Sequence, residues 1–209
     1  MLLALFSVFM LAVQGCSMDQ DPPPERDFDE AAAYPLMEQA VLDTIAGLPD
    51  FPGFKTRTYY SPEDCEEALG EQYKGWVSLE IAYTFDGPDS ESELVRTTYT
   101  DLLREQWTAA GYDLHQDSID SATGRGSLEA KRQDGINLWW AVSGSVSLAV
   151  QTGCIPATEG FDKPDYLPPA GGVLPENDQA AQNRMNPPED STGEVIDPFA
   201  SGSASPSVD

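Results

Sequence analysis

One stretch of this chain alternates with a strict period of two and a second sets large apolar residues at every other position, and that period restricts the fold more than any other feature. From Trp76 to Phe85, the residues Val77, Leu79, Ile81, Tyr83 and Phe85 alternate with Ser78, Glu80, Ala82 and Thr84. Successive side chains of an extended strand point to opposite faces, so the pattern predicts a strand with one face in a core and the other towards water. Further on, Ile136, Leu138, Trp140 and Val142 alternate with Asn137, Trp139 and Ala141. Ser143-Gly144-Ser145 then turns the chain, and Val146, Leu148 and Val150 continue the apolar face. Asp134-Gly135 is a hairpin-turn dipeptide that joins this run to a shorter strand over Ser127 to Gln133. Three strands joined by tight turns make an antiparallel meander.

Two other segments carry the helical period. Leu36, Met37, Val41, Thr44, Ile45 and Leu48 recur at helical spacing, with Pro35 suited to a first turn and Gly47 and Pro49 closing the pattern. Leu94, Val95, Thr98, Leu102, Leu103, Gln106, Trp107 and Ala110 define a second helix that ends at Gly111. Asp86-Gly87-Pro88-Asp89 breaks the strand before it, and Ser90 with Glu93 reads as a capping box. Lys55 to Tyr60 suits a short strand, and Tyr112 to Ile119 a modest one. Ser61-Pro62-Glu63-Asp64 reads as a helical turn leading to Cys65 and closed by Gly70. The order of elements predicts an α+β domain over residues 33–156, with two helices packed on one face of a mainly antiparallel sheet.

The ends are of another kind. An apolar run of about 13 residues, Met1 to Val13, is too short for the roughly 20 helical residues that cross a bilayer, and it suits the apolar core of a signal peptide. It leads into Val13-Gln14-Gly15-Cys16, which has the form of a bacterial lipobox, with Val13 and Gly15 in pattern and Gln14 out of it. No Lys or Arg precedes Leu2-Leu3, a departure that a start codon assigned too far downstream accounts for. An ordinary cleaved signal and an uncleaved anchor are the competing readings. The lipobox predicts a signal peptide over 1–15 and a diacylglycerol on Cys16. It also places the domain on the extracytoplasmic face of the cell membrane. Pro22-Pro23-Pro24 amid acidic residues makes 16–32 the lipidated cysteine and its extended tether. Pro168-Pro169, Gly171-Gly172, Pro187-Pro188 and a Ser/Gly/Pro-rich end predict a disordered acidic tail over 157–209.

Charge and cysteine usage agree with that address. Acidic residues outnumber basic ones 36 to 11, for a net charge of −25. With no basic patch to release counterions from a phosphate backbone, nucleic acid is excluded as a partner. An anionic membrane surface repels such a body, which leaves the lipid as its attachment to the bilayer. The chain has three cysteines, Cys16, Cys65 and Cys154. If Cys16 takes the lipid, Cys65 and Cys154 remain as an even pair for a disulfide in an oxidising compartment, two separate thiols being the alternative.

Candidate chemistry is sparse. His115 is the single histidine. In a regular strand it shares a face with Asp113 and Asp117, a set that can ligate a divalent metal; a solvated edge of an acidic protein is the reading preferred here. Ser143, Ser145 and Ser147 have no second base to activate them. The carboxylates around Cys65 read as a solvated turn. No catalytic residue, metal site or cofactor is predicted. Trp139 stands apart: its neighbours Leu138 and Trp140 take the core face, which leaves Trp139 on the outer face as a candidate partner contact, or buried under a loop.

Several of these features together resemble the actinobacterial LppA-like lipoproteins. They are Cys16, the acidic tether, an early helix, Cys65, a helix leading into Gly111-Tyr112, and a closing Thr152-Gly153-Cys154-Ile155-Pro156. The resemblance covers Ala33 to Pro156 and implies envelope location and the two cysteines, with no activity attached. The expected role is a tethered binding or scaffolding domain that meets an envelope protein. The alternative is a carboxylate-based enzyme or small-ligand receptor with a cleft between helices and sheet.

Overall fold

The computed structural model describes residues 25–66, 72–161 and 165–185. The expected signal peptide (1–15), the lipidation position Cys16, the first part of the tether and the tail from residue 186 lie outside the described residues. The chain runs through helix α1 (Glu30–Ile45), strands β1 (Thr56–Tyr59), β2 (Glu63–Glu66) and β3 (Gln72–Thr84), and a short helix α2 (Gly87–Glu91). A π-helical turn (Leu94–Thr98) leads into α3 (Tyr99–Ala109). Strands β4 (Asp113–Asp117), β5 (Gly126–Lys131), β6 (Asn137–Val142) and β7 (Val146–Pro156) follow. Two 3-10 turns (Ala170–Gly172 and Pro175–Asn177) precede helix α4 (Gln179–Met185).

The fold is α+β, built on one seven-stranded antiparallel sheet in the order β1-β3-β7-β6-β5-β4, with β2 also paired to β3. After β3 the chain crosses the sheet through α2 and α3 to the far edge at β4, then returns as a meander that sets β7 beside β3. The register aligns Ile81, Val150, Leu138 and Ala130 in one cross-strand row, and Tyr83, Leu148, Trp140 and Leu128 in the next. All eight are buried. Both long helices bond to this face: Tyr83 Oη donates to the Glu38 carboxylate of α1, and Trp140 Nε1 donates to Thr100 Oγ1 of α3 at 2.9 Å. The helices meet where Gln106 Nε2 donates to the Asp43 carbonyl at 2.9 Å. Met37 and Val41 of α1 and Leu103 and Trp107 of α3 are buried in the same core. Each such side chain contributes roughly 1.5–3 kcal/mol.

Local capping differs from the sequence reading. Helix α1 begins at Glu30, where Asp29 caps it by accepting from Ala32 N at 3.1 Å. Pro35 therefore lies inside the helix. It cannot donate to the Ala31 carbonyl, a loss that water offsets because Ala31 is exposed. At the second helix Asp86 replaces the expected capping box, accepting from Asp89 N at 2.9 Å. Ser90 is buried, and its hydroxyl accepts from Val146 N of β7 at 3.0 Å. The stretch Glu63–Glu66, expected as a helical turn, is strand β2, with Glu63 opposite Ser78 and Asp64 opposite Val77. A disulfide joins Cys65 to Cys154, with Cα atoms 5.9 Å apart. It ties β2 to β7, the strands on either side of β3. Closing a loop of 89 residues is worth about 4–5 kcal/mol through restriction of the unfolded chain.

Both supposed disordered ends contribute to the domain. On the N-terminal side, Phe28 is buried in the core. The Arg26 side chain crosses the Asp134-Gly135 turn so closely that a β-carbon on Gly135 would fall 1.8 Å from Arg26 Nη1. The guanidinium could swing aside from a β-carbon, so it is the φ of +87° that favours glycine there. Residues 25–32 are thus docked, not tether. On the C-terminal side, residues 157–161 and 165–185 fold back onto the sheet, so the expected disorder from 157 does not extend through them. Ala170 and Val173 enter the core, and Ala170 N donates to Tyr83 Oη at 3.0 Å. Phe54 N donates to the Gly171 carbonyl at 2.9 Å. Gln179 Oε1 accepts from Tyr59 N at 2.8 Å, and Arg57 and Asp178 form a parallel bridge along the outer edge of β1. A free strand edge invites pairing with other chains, and this segment covers one.

Candidate functional site

Two features compete as the functional centre: a buried charge cluster under the sheet, and the face of the sheet that no helix covers among the described residues. The cluster is built from α1, β1 and the C-terminal segment. Arg57 Nε and Nη2 donate to the two oxygens of Asp178 at 2.9 and 2.8 Å. Its Nη1 donates to Glu38 Oε1 at 2.7 Å and to Tyr59 Oη at 3.2 Å. Tyr59 Oη in turn donates to Glu38 Oε1 at 2.8 Å, Tyr83 Oη donates to Glu38 Oε2, and Tyr166 Oη donates to Asp178 Oδ2 at 3.0 Å. The Arg57 and Asp178 side chains are fully buried.

Burial disfavours the Arg57 cation, but the hydrogen bonds of Asp178 and the charge of Glu38 outweigh it and raise the pKa. Burial, then the Glu38 charge, pushes the Tyr59 and Tyr83 hydroxyls well above the usual phenol range. Every guanidinium nitrogen is engaged, both carboxylates are bonded, and Arg57 and Asp178 are shut off from solvent, with Tyr59 and Tyr166 half-buried at the rim. Such an arrangement holds segments together; it offers no atom to a substrate. It is a clasp between α1, β1 and residues 165–185.

The uncovered face follows from the same register. The residues alternating with the core rows are Glu80, Ala82 and Thr84 on β3, Ser147, Ala149 and Gln151 on β7, and Asn137, Trp139 and Ala141 on β6. All are at least partly exposed. Trp139 stands between Glu129 of β5 and Ala149 of β7, and 39% of its surface is open. Ala141 and Ala149 flank it on two sides, and Asn137 and Glu129 on the other two. Trp139 therefore stands on the outer face of β6. Gln151 Nε2 donates to Glu80 Oε2 at 2.7 Å, and Glu129 Oε1 accepts from Ser127 Oγ at 3.0 Å.

His115 does not gather Asp113 and Asp117 on one face. The pairing of β4 with β5 slips between Leu114 and Gln116, and such a bulge breaks the period of two. Asp117 then lies opposite Leu128 and accepts from Arg104 Nε of α3 at 2.6 Å. His115 Nε2 instead lies 3.6 Å from Glu129 Oε2. Among the described residues no three His, Cys, Asp or Glu side chains are placed to hold a metal, and no helix is long and apolar enough to cross a membrane.

A polar groove of about 610 Å³ lies between the π-helical turn, α3 and the loop at 119–124. It is lined by Glu93, Arg96, Asp101, Arg104 and Asp120 among others. Sequence reasoning missed both the groove and the clasp, since each joins residues distant in the chain. The apolar residues Tyr166, Leu167, Ala170 and Val173 were the available sign that the supposed tail could dock. Neither a known protein family, nor a curated protein, nor a solved structure matches this chain.

Proposed function

We propose that the chain is a membrane-anchored extracytoplasmic lipoprotein, similar to the LppA-like proteins, whose domain serves as a binding or scaffolding module at the cell envelope. A diacylglycerol on Cys16 holds it to the bilayer, and an envelope protein docks on the uncovered sheet face at Trp139. The observation that carries the binding role is the exposed Trp139, beside Ala141 and Ala149 on the face opposite the buried core. A large aromatic with little conformational entropy to lose is a favoured anchor for protein contacts. The Cys65–Cys154 bridge supports the oxidising compartment.

Two experiments test the two halves of this reading. Envelope extracts passed over wild-type protein and Trp139→Ala should yield a partner only with the wild type; equal recovery sinks the contact. In cells, Cys16→Ala should appear in the medium or as unprocessed precursor. A variant that still matures and stays in the membrane fraction contradicts the lipid anchor. The second reading, a small-ligand receptor, has its place in the groove beside α3, where Arg96 and Arg104 face Glu93, Asp101 and Asp120.

A further inference from the structure

The uncovered face carries acidic charge interleaved with its aromatic ring. Glu129 stands directly opposite Trp139 in the register. Glu80 pairs across β7 with Gln151, one row along from Trp139. Adjacent strands are about 4.8 Å apart, so Glu80 lies about 10 Å across the sheet from the β6 strand that bears the indole. At the β2 side, Glu63 and Glu66 line a shallow depression beside the disulfide with Ser78. Lys131, opposite Asn137, is the basic residue closest to Trp139 in this register. Ala141, Ala149 and Ala82 keep the floor low, so a flat group can reach the indole and a carboxylate together.

An indole beside carboxylates is a setting for a cation: the π-face attracts it and the acids complete its pairing. The field of the whole chain, with net charge −25, steers basic surfaces inwards and anionic lipid away. We propose that the occupant of this face is an arginine- or lysine-rich segment of a partner protein. One cationic side chain lies on the Trp139 indole beside Glu129, and a second, roughly 12 Å away and so about four residues further along an extended segment, meets Glu80. The assignment rests on the partner-binding reading above and adds the chemistry of the partner.

The test uses the full-length chain and a short capped peptide alternating arginine with serine, with a glutamate–serine peptide as control. Binding is followed by calorimetry at about 0.05 M and 0.5 M salt. Wild type should bind the arginine peptide, lose affinity with salt and ignore the glutamate peptide. Trp139→Ala leaves the net charge unchanged, yet should weaken binding about tenfold. Glu80→Gln and Glu129→Gln should each weaken it about threefold. Thermal melts of each variant show whether the domain is intact. If Trp139→Ala binds as wild type does, the peptide reads only overall charge and the assignment is overturned. If the arginine peptide fails to bind while an envelope partner is still lost with Trp139→Ala, the binding reading stands and its basic partner does not.

Discussion

Arg57 and Arg104 make the same bonds to carboxylates in opposite surroundings. Each is bidentate to one aspartate, Asp178 or Asp117, and singly bonded through Nη1 to a second carboxylate, Glu38 or Asp101. The Arg57 side chain has no exposed surface, whereas 33% of that of Arg104 is open. In water the Coulomb gain of a pair is offset by screening and by ordering of the side chains, and an exposed pair is worth about 0–1 kcal/mol. Underneath the sheet the partners have no water to return to, so loss of one leaves the others charged and stranded. Connectivity alone does not tell what an ion pair does; burial does. The buried triad fastens the C-terminal segment to the domain, while the exposed one decorates the α3–β4 surface.

The sharpest way to break this comparison is to remove one carboxylate from the buried cluster. Asp178→Ala should cost about 3–5 kcal/mol, because Arg57 then keeps a buried charge with half its partners gone. Urea unfolding should show the loss, and limited proteolysis should cut within residues 165–185. A cost below about 1 kcal/mol would mean that the segment is not held by the clasp.

That clasp was the least legible part of the fold. The strands of the meander, the long strand β3 and the helix ending at Gly111 could be read because burial on one face imposes a local period. Arg57 looks like any polar residue of a strand, and Asp178 lies in a run rich in proline and glycine. Their pairing spans 121 residues, and no local pattern reports it. Gly171 reads as a breaker, yet it lies where a β-carbon would meet Phe54 at 2.7 Å, so composition suggests disorder where packing demands a small residue. The β4 bulge misled in the same way, by altering a face that strict alternation assigns to His115. Trp139 was legible because its core-facing neighbours decide its direction.

Raising the pH separates the clusters less drastically. Burial and the Glu30 charge push the Tyr34 hydroxyl up to about 12, and Tyr59 and Tyr83 at the clasp shift in the same direction. An unfolded tyrosine ionises near pH 10. Between that value and the folded one, the unfolded state has released protons that the native state retains, so stability falls as pH rises. Below about pH 10 this contribution is fully present. The urea midpoint should therefore hold steady up to that point and decline beyond it. A midpoint flat to pH 12 contradicts a sealed clasp. At the acid end, Asp117 is held below the usual carboxylate range by its Arg104 hydrogen bonds. Its contribution, present above about pH 4 and lost as pH falls through the lowered value, is small because the pair is exposed. The smallest effect is accordingly Arg104→Gln, which should change stability by less than about 1 kcal/mol at neutral pH. A larger loss in urea unfolding would erase the contrast with Arg57.

The central claim is that a partner docks on the uncovered sheet face, and a crosslinking comparison tests it most directly. Trp139 and Leu42 are both large apolar side chains at the surface, 39% and 45% exposed, the first on the open sheet face and the second on the outer side of α1. A photoreactive phenylalanine derivative placed at either position in the full-length protein, expressed in cells, reports what lies against it there. The account predicts a discrete protein adduct from position 139 and none from position 42. Adducts of equal yield at both positions, or none at 139, would contradict it.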